Sequence, residues 1–72
     1  MQELIDARGL RCPLPLIRAR QALATLPDDA VLVVLATDPE APIDLAALAA
    51  DTGRVFSSSS SAGEWRLVLA PE

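Results

Sequence analysis

The 72-residue chain predicts an α+β fold: a two-layer α/β sandwich in the order β-α-β-α-β-β, with two helices packed on one face of a four-stranded mixed sheet. Three observations predict it. Apolar residues recur at helical spacing in two stretches, Leu16, Ala19, Leu23 and Leu26, then Leu45, Leu48, Ala49 and Thr52. Between them, Val31-Leu32-Val33-Val34-Leu35 is an apolar run of strand length, rich in β-branched residues. Near the C-terminus, Trp65, Leu67 and Leu69 alternate with polar or smaller neighbours, as on a half-buried strand. A chain this short is expected to form one domain over residues 1–72. Its cheapest core lies between a helix layer and one sheet face, leaving the other face to water or a partner.

The elements follow in order. Leu4-Ile5-Asp6-Ala7 reads as a short first strand, ended by a turn at Gly9. The first helix has Arg18, Gln21 and Thr25 off its apolar stripe and ends near Leu26-Pro27. Asp28-Asp29 makes the turn into the central strand. Thr37 to Pro42 is a turn feeding the second helix. There Pro42 suits the first helical position, and Asp44 puts an acid where the helix dipole favours it. Gly53 closes that helix. Arg54-Val55-Phe56-Ser57 begins a third strand, and Glu64 to Leu69 forms a fourth, paired with it as a hairpin. The five serines Ser57 to Ser61 read as a strand end running into a flexible loop tip, with no base nearby to make any of them a nucleophile.

Composition removes several kinds of chemistry. One cysteine cannot close an intramolecular disulfide, and with no histidine the chain cannot assemble a structural zinc site. Hydrolytic triads and Cys-His pairs need an imidazole and are excluded too. Thirteen of the hydrophobic residues are alanine and only Phe56 and Trp65 are aromatic, so the core must be aliphatic. Net charge is −4, unevenly spread: residues 7–27 hold Arg8, Arg11, Arg18 and Arg20 with no acid, while eight acids follow against Arg54 and Arg66. An acidic chain with one basic patch is a poor nucleic-acid binder, and no direct nucleic-acid contact is expected. The patch suits an acidic protein or a small anion, or is simply a solvated helix face. The start lacks the basic and apolar regions of a signal peptide, and the longest apolar run, Ala30 to Ala36, is too short to span a bilayer. A cytoplasmic location with a reduced thiol is the resulting expectation, and no membrane partner.

The segment Gly9-Leu10-Arg11-Cys12-Pro13-Leu14-Pro15-Leu16 holds the reactive candidate. A free cysteine is often an inert core residue. Cys12, however, lies just before a helix and off its apolar stripe, where the pre-proline position favours extended, N-cap geometry. Pro13 fits the first helical position, and Pro15 the first turn, where no intrahelical donor is lost. Because Pro15 disfavours helical geometry at Leu14, regular helix could also begin only at Pro15. The free N–H groups of Leu14 and Leu16, the helix dipole, and the nearby Arg8, Arg11 and Arg18 all predict a thiol shifted toward thiolate. A titration at or above the unperturbed value, about 8.5, would argue against a pre-activated sulfur.

That segment resembles the Cys-Pro-X-Pro signature of the TusA/SirA-like sulfur-carrier family. The resemblance covers essentially the whole chain, through the short leading strand, Thr37-Asp38-Pro39 after the second strand, Asp44 in the second helix, and the size and element order. It implies that Cys12 holds sulfane sulfur as a persulfide, accepted from a cysteine desulfurase or rhodanese-like donor and passed to a downstream acceptor protein. In the family, acceptors serve tRNA thiolation, molybdenum-cofactor assembly or sulfur oxidation. Gly9, Pro13 and Pro15 would shape the presentation of the sulfur. Asp38 and Asp44 match positions that recur near the site, although capping and dipole complementarity account for them equally well. Arg11 and Arg18 would be thiolate or partner contacts, or plain surface charge. No cofactor and no metal is implied. Such a carrier is turned over by partner enzymes rather than being a free-standing catalyst, and docks with each partner as a monomer.

Two other readings use the same residues. A non-catalytic interaction or regulatory module would keep the Cys-Pro-X-Pro segment for structure and bind through the open sheet face or the acidic surface. A thiol redox sensor would need an external thiol to resolve its sulfenic acid, since the chain has no second cysteine.

Overall fold

The computed structural model describes residues 1–72. It contains β1 (Gln2–Ala7), α1 (Leu14–Thr25), β2 (Val31–Ala36), α2 (Ala41–Thr52), β3 (Val55–Ser61) and β4 (Glu64–Ala70). The sheet order is β1-β2-β4-β3; β1 runs parallel to β2, and the other two pairings are antiparallel. The expected β-α-β-α-β-β order and two-layer sandwich are therefore present. Neither helix is long and apolar enough to cross a membrane.

Alternation along the strands sends Ile5 and Ala7, Leu32, Val34 and Ala36, Trp65, Leu67 and Leu69, and Phe56 to the helix side. They meet Ala19 of α1 and Ala41, Leu45, Leu48 and Ala49 of α2, with Leu16, Leu23 and Leu26 at the margin. Burying each of the fully enclosed leucines contributes roughly 1.5–3 kcal/mol. Small alanines at Ala7, Ala19, Ala36 and Ala49 let helix and sheet backbones approach closely. Thr52 departs from the expected stripe. It lies at the exposed end of α2, and its hydroxyl donates to the carbonyls of Leu48 (2.8 Å) and Ala49 (3.2 Å).

The opposite sheet face is uncovered and carries its own apolar row, Leu4, Val33 and Val68, paired side by side. Val33 is only 1% exposed because Leu4 and Val68 flank it, while Leu4 itself is 57% exposed.

Two boundaries differ most from the sequence reading. The serines are not a loop tip: Ser57 to Ser61 are all strand, paired residue for residue with Val68, Leu67, Arg66, Trp65 and Glu64. The loop shrinks to Ala62 and Gly63, both at positive φ (54° and 79°), the signature of a two-residue type I′ hairpin turn. Pairing to β4 overrides the weak strand preference of serine, and a polar side suits an edge strand. The second difference is at α1, which begins at Leu14, between the two expected starts. The N–H of Leu14 closes a turn onto the Arg11 carbonyl (2.8 Å), and that of Ile17 makes the first helical bond, to Pro13 (3.0 Å). Pro13, not Cys12, is the N-cap, so Cys12 sits one residue outside the helix. Helix α2 begins at Ala41, with Pro42 second, and ends at Gly53 in left-handed conformation (φ 71°).

Loop connections lock the layers together at both ends. Arg54 donates to the carbonyls of Ala30 and Pro27, fastening the start of β3 to the α1–β2 turn. At the other end, Gly9 (φ 81°) turns the chain after β1, and its N–H donates to the Thr37 hydroxyl beyond β2 (2.9 Å). The loops that follow two parallel strands are thus tied side by side. The candidate site lies there.

Candidate functional site at the heads of the two helices

Parallel pairing puts the C-terminal ends of β1 and β2 at the same edge of the sheet, so the loops leading into α1 and α2 are neighbours. Cys12 comes from the first loop, and Asp38, Glu40 and Asp44 from the second loop and the head of α2. A single carboxylate connects them. Asp38 accepts the N–H of Cys12 on one oxygen (2.9 Å) and the N–H of Glu40 on the other (2.8 Å). The second bond is an Asx turn that directs the chain into α2; the first anchors the cysteine backbone to it. These two N–H bonds are the main reason the Asp38 carboxyl is held below the ordinary carboxylate range, with a smaller contribution from Arg11.

The Cys12 thiol is exposed and donates to the Asp44 carboxylate, Sγ to Oδ2 3.1 Å. Glu40 completes the group: one ligand-type atom from each of Cys12, Glu40 and Asp44 lies within 4.8 Å of the others. Two carboxylates oppose ionisation of a third acid. The thiol is pushed up from 9.0 to about 11, first by its hydrogen bond to Asp44, then by desolvation and by the charges of Asp44 and Glu40.

The acids of α2, rather than the arginines expected to favour a thiolate, lie against the sulfur. No arginine contributes to the titration of Cys12. Arg8 is engaged elsewhere, paired with Asp6 (2.8 Å) and Glu64 (3.4 Å), which draws the Asp6 carboxyl down to about 2. Arg11 acts on Asp38, and Arg18 points into solvent without an ion pair. The Leu14 N–H, one of the expected thiolate donors, is spent on Arg11. Neighbours in sequence lost to neighbours in space, and the nearest in space are the acids of α2.

The structure therefore brings Cys12, Asp38 and Asp44 together. Gly9 and Pro13 shape the adjoining turns, Pro15 is buried beneath the first turn of α1, and Arg11 and Arg18 stay at the periphery. Glu40 is the member that the sequence reading missed. The signal was an acid two residues after Asp38, at a helix start beside a Pro-containing turn.

A small β-α-β-α-β-β sandwich with an exposed Cys-Pro-X-Pro thiol between two helix heads defines a recognisable class, and comparison with known proteins places the chain in it. The family model described as sulfurtransferase TusA matches residues 3–70. The sulfur carrier protein TusA of Allochromatium vinosum is 45% identical over 62 residues, which cover 86% of this chain and 80% of that one. A protein of Neisseria meningitidis, named as a candidate sulfur carrier, is 46% identical over 68 residues, 93% of this chain and 92% of its own. Among solved structures, a SirA-like protein of Desulfitobacterium hafniense superposes with a TM-score of 0.87 over the full length of both chains, at 31% identity. The chain belongs to the TusA family of sulfur carriers.

Proposed function

We propose that the protein carries sulfane sulfur as a persulfide on Cys12, taking it from a cysteine desulfurase or rhodanese-like donor and relaying it to an acceptor protein. The observation that carries this reading is the exposed Cys12 thiol, at the end of the Cys-Pro-X-Pro loop, with its backbone anchored by Asp38. An exposed sulfur on a small corner can enter the active site of a larger partner. Asp38 and the flanking prolines fix where the sulfur is offered. With no histidine and no second thiol, the chain has little machinery to turn over a substrate alone. A protonated thiol in the free protein adds a requirement: the partner, not the carrier, must supply the activation.

Incubation with a cysteine desulfurase and free cysteine is expected to add one sulfur atom to the intact mass, removable by a reducing thiol. Cys12→Ser should stay unmodified. A wild-type chain that gains no sulfur from desulfurase or rhodanese-type donors would falsify the carrier reading.

A further inference from the structure

The uncovered face of the sheet is apolar, and the charges on it cancel. We propose that it is a self-association surface, on which two copies stack sheet against sheet as a weak symmetric dimer that leaves both Cys12 sulfurs free. The inference stands independently of the carrier reading.

The first support is an apolar field. Side chains alternate along each strand, so the registers place Leu4, Val31, Val33, Leu35, Val55 and Val68 on this face. They form a patch that reaches across all four strands, and Leu4 and Val55 are each more than half exposed. Contiguous apolar patches of this kind mark contact surfaces.

Charge then selects the occupant. The chain carries −4. This face holds Asp6, Glu64 and Arg66, and Arg8 is drawn over it by its ion pairs with the two acids. Two acids and two arginines cancel, so the net charge of the molecule lies elsewhere. A strongly charged partner finds nothing to select here, whereas a second copy meets no local repulsion.

The strand order makes the face complementary to itself. Turned about a two-fold axis parallel to the strands, the order β1-β2-β4-β3 sets β2 over β4 of the other copy, and β1 over β3. Val33 of one copy then faces Val68 of the other, and Leu4 faces the small Ser57. Arg66 faces Leu35, whose neighbour in register is Asp6. Arg66 is exposed and has no ion pair in its own chain, and the stacked copy brings an acid beside it. The Cys12 thiol, bonded to Asp44 of α2, belongs to the helix layer behind the sheet, so stacking does not cover it.

Area sets the strength. Four strands spaced about 4.8 Å give a face roughly 19 Å wide and 20 Å long. Two such faces bury on the order of 800–1,000 Å², at or below the lower limit for a specific interface. A dissociation constant on the order of 100 µM is expected.

Sedimentation equilibrium of the Cys12→Ser chain, which excludes disulfide-linked pairs, tests this from about 10 µM to about 1 mM. The average mass should climb from one chain toward two. Leu4→Glu puts an unpaired carboxylate into the contact, and Arg66→Glu leaves each face with an excess of acid. Each should raise the dissociation constant about tenfold or more. Ile43→Glu and Arg20→Glu make the same charge changes on exposed positions of the helix layer and should leave it unmoved. If Leu4→Glu fails to fold, concentration-dependent methyl shifts in the parent chain, at Leu4, Val55 and Val68 but not at Ile43, locate the contact. A single-chain mass at the highest concentration overturns the proposal, as does association that survives both Leu4→Glu and Arg66→Glu or is lost equally in the two controls. A chain that stays single, with those methyls shifting only when a cysteine desulfurase is added, assigns the face to another protein and overturns it as well.

Discussion

The two helices begin within reach of one sulfur, and their heads are built differently. The head of α1 carries two prolines and no acid, and its N-cap Pro13 offers no capping side chain. The head of α2 carries Asp44 in its first turn and Glu40 at the N-cap, with Asp38 just before it. Cys12 belongs by sequence to α1, yet its ionisation is governed by α2. The difference teaches that α1 positions the sulfur and α2 sets its charge. A helix N-terminus favours a thiolate only when the groups facing it do not add a stronger negative field.

The strongest way to break that division is Asp44→Asn. It removes the first cause of the raised titration, so the thiolate absorbance midpoint should fall from about 11 toward 9.0. Thiolate population in mildly alkaline solution should rise by roughly one to two powers of ten, read as faster alkylation of the free protein. A midpoint that stays put would return control of the thiol to α1.

Asp38→Ala tests the anchoring half. It leaves the Cys12 and Glu40 N–H groups without their acceptor, so both loops should loosen, with Tm falling by about 5 °C. Amide exchange at Cys12 and Glu40 should accelerate in the variant more than exchange in β2. Acidification should do the same more gently. The Asp38 pKa is lower folded than unfolded, so its contribution is present above its ordinary 3.8 and fades as pH falls through the lower folded value. At the alkaline end the sign is reversed: the Cys12 pKa is raised by folding, so its contribution is complete below 9.0 and lost as pH rises through about 11.

Glu40→Gln is expected to lower the Cys12 midpoint by less than Asp44→Asn does, because Glu40 ranks after Asp44 among its causes. The smallest effect belongs to the arginines. Arg11→Ala and Arg18→Ala should leave the thiol midpoint within a few tenths of a unit of wild type, since neither acts on Cys12. A clear rise in either would show that α1 supplies charge after all.

The fold was largely legible because its signals are periodic and local. Leu45, Leu48 and Ala49 mark the buried side of α2, and Trp65, Leu67 and Leu69 mark one face of β4, by spacing alone. The serines were misread because serine lacks a strong strand preference; their state is decided by β4 alongside and by a turn formed at Ala62-Gly63. At the site, Cys12, Pro13, Pro15, Asp38 and Asp44 stood out as residues, but the polarity of their arrangement did not. Four arginines in an acid-free stretch look like a basic setting for the cysteine until Arg8 is seen paired with Asp6 and Glu64.

By itself, then, the sequence determined that the chain offers a single thiol, that this thiol opens a Cys-Pro-X-Pro segment before the first helix, and that two amphipathic helices cover one face of a sheet. Each is a matter of composition or of spacing within one element. Only the tertiary structure decided how that thiol is held. The parallel β1–β2 pair brings residues 26 and 32 positions apart in the chain against Cys12, and electrostatic influence depends on distance in space. The sulfur that its neighbours in sequence would ionise is kept protonated by its neighbours in the fold.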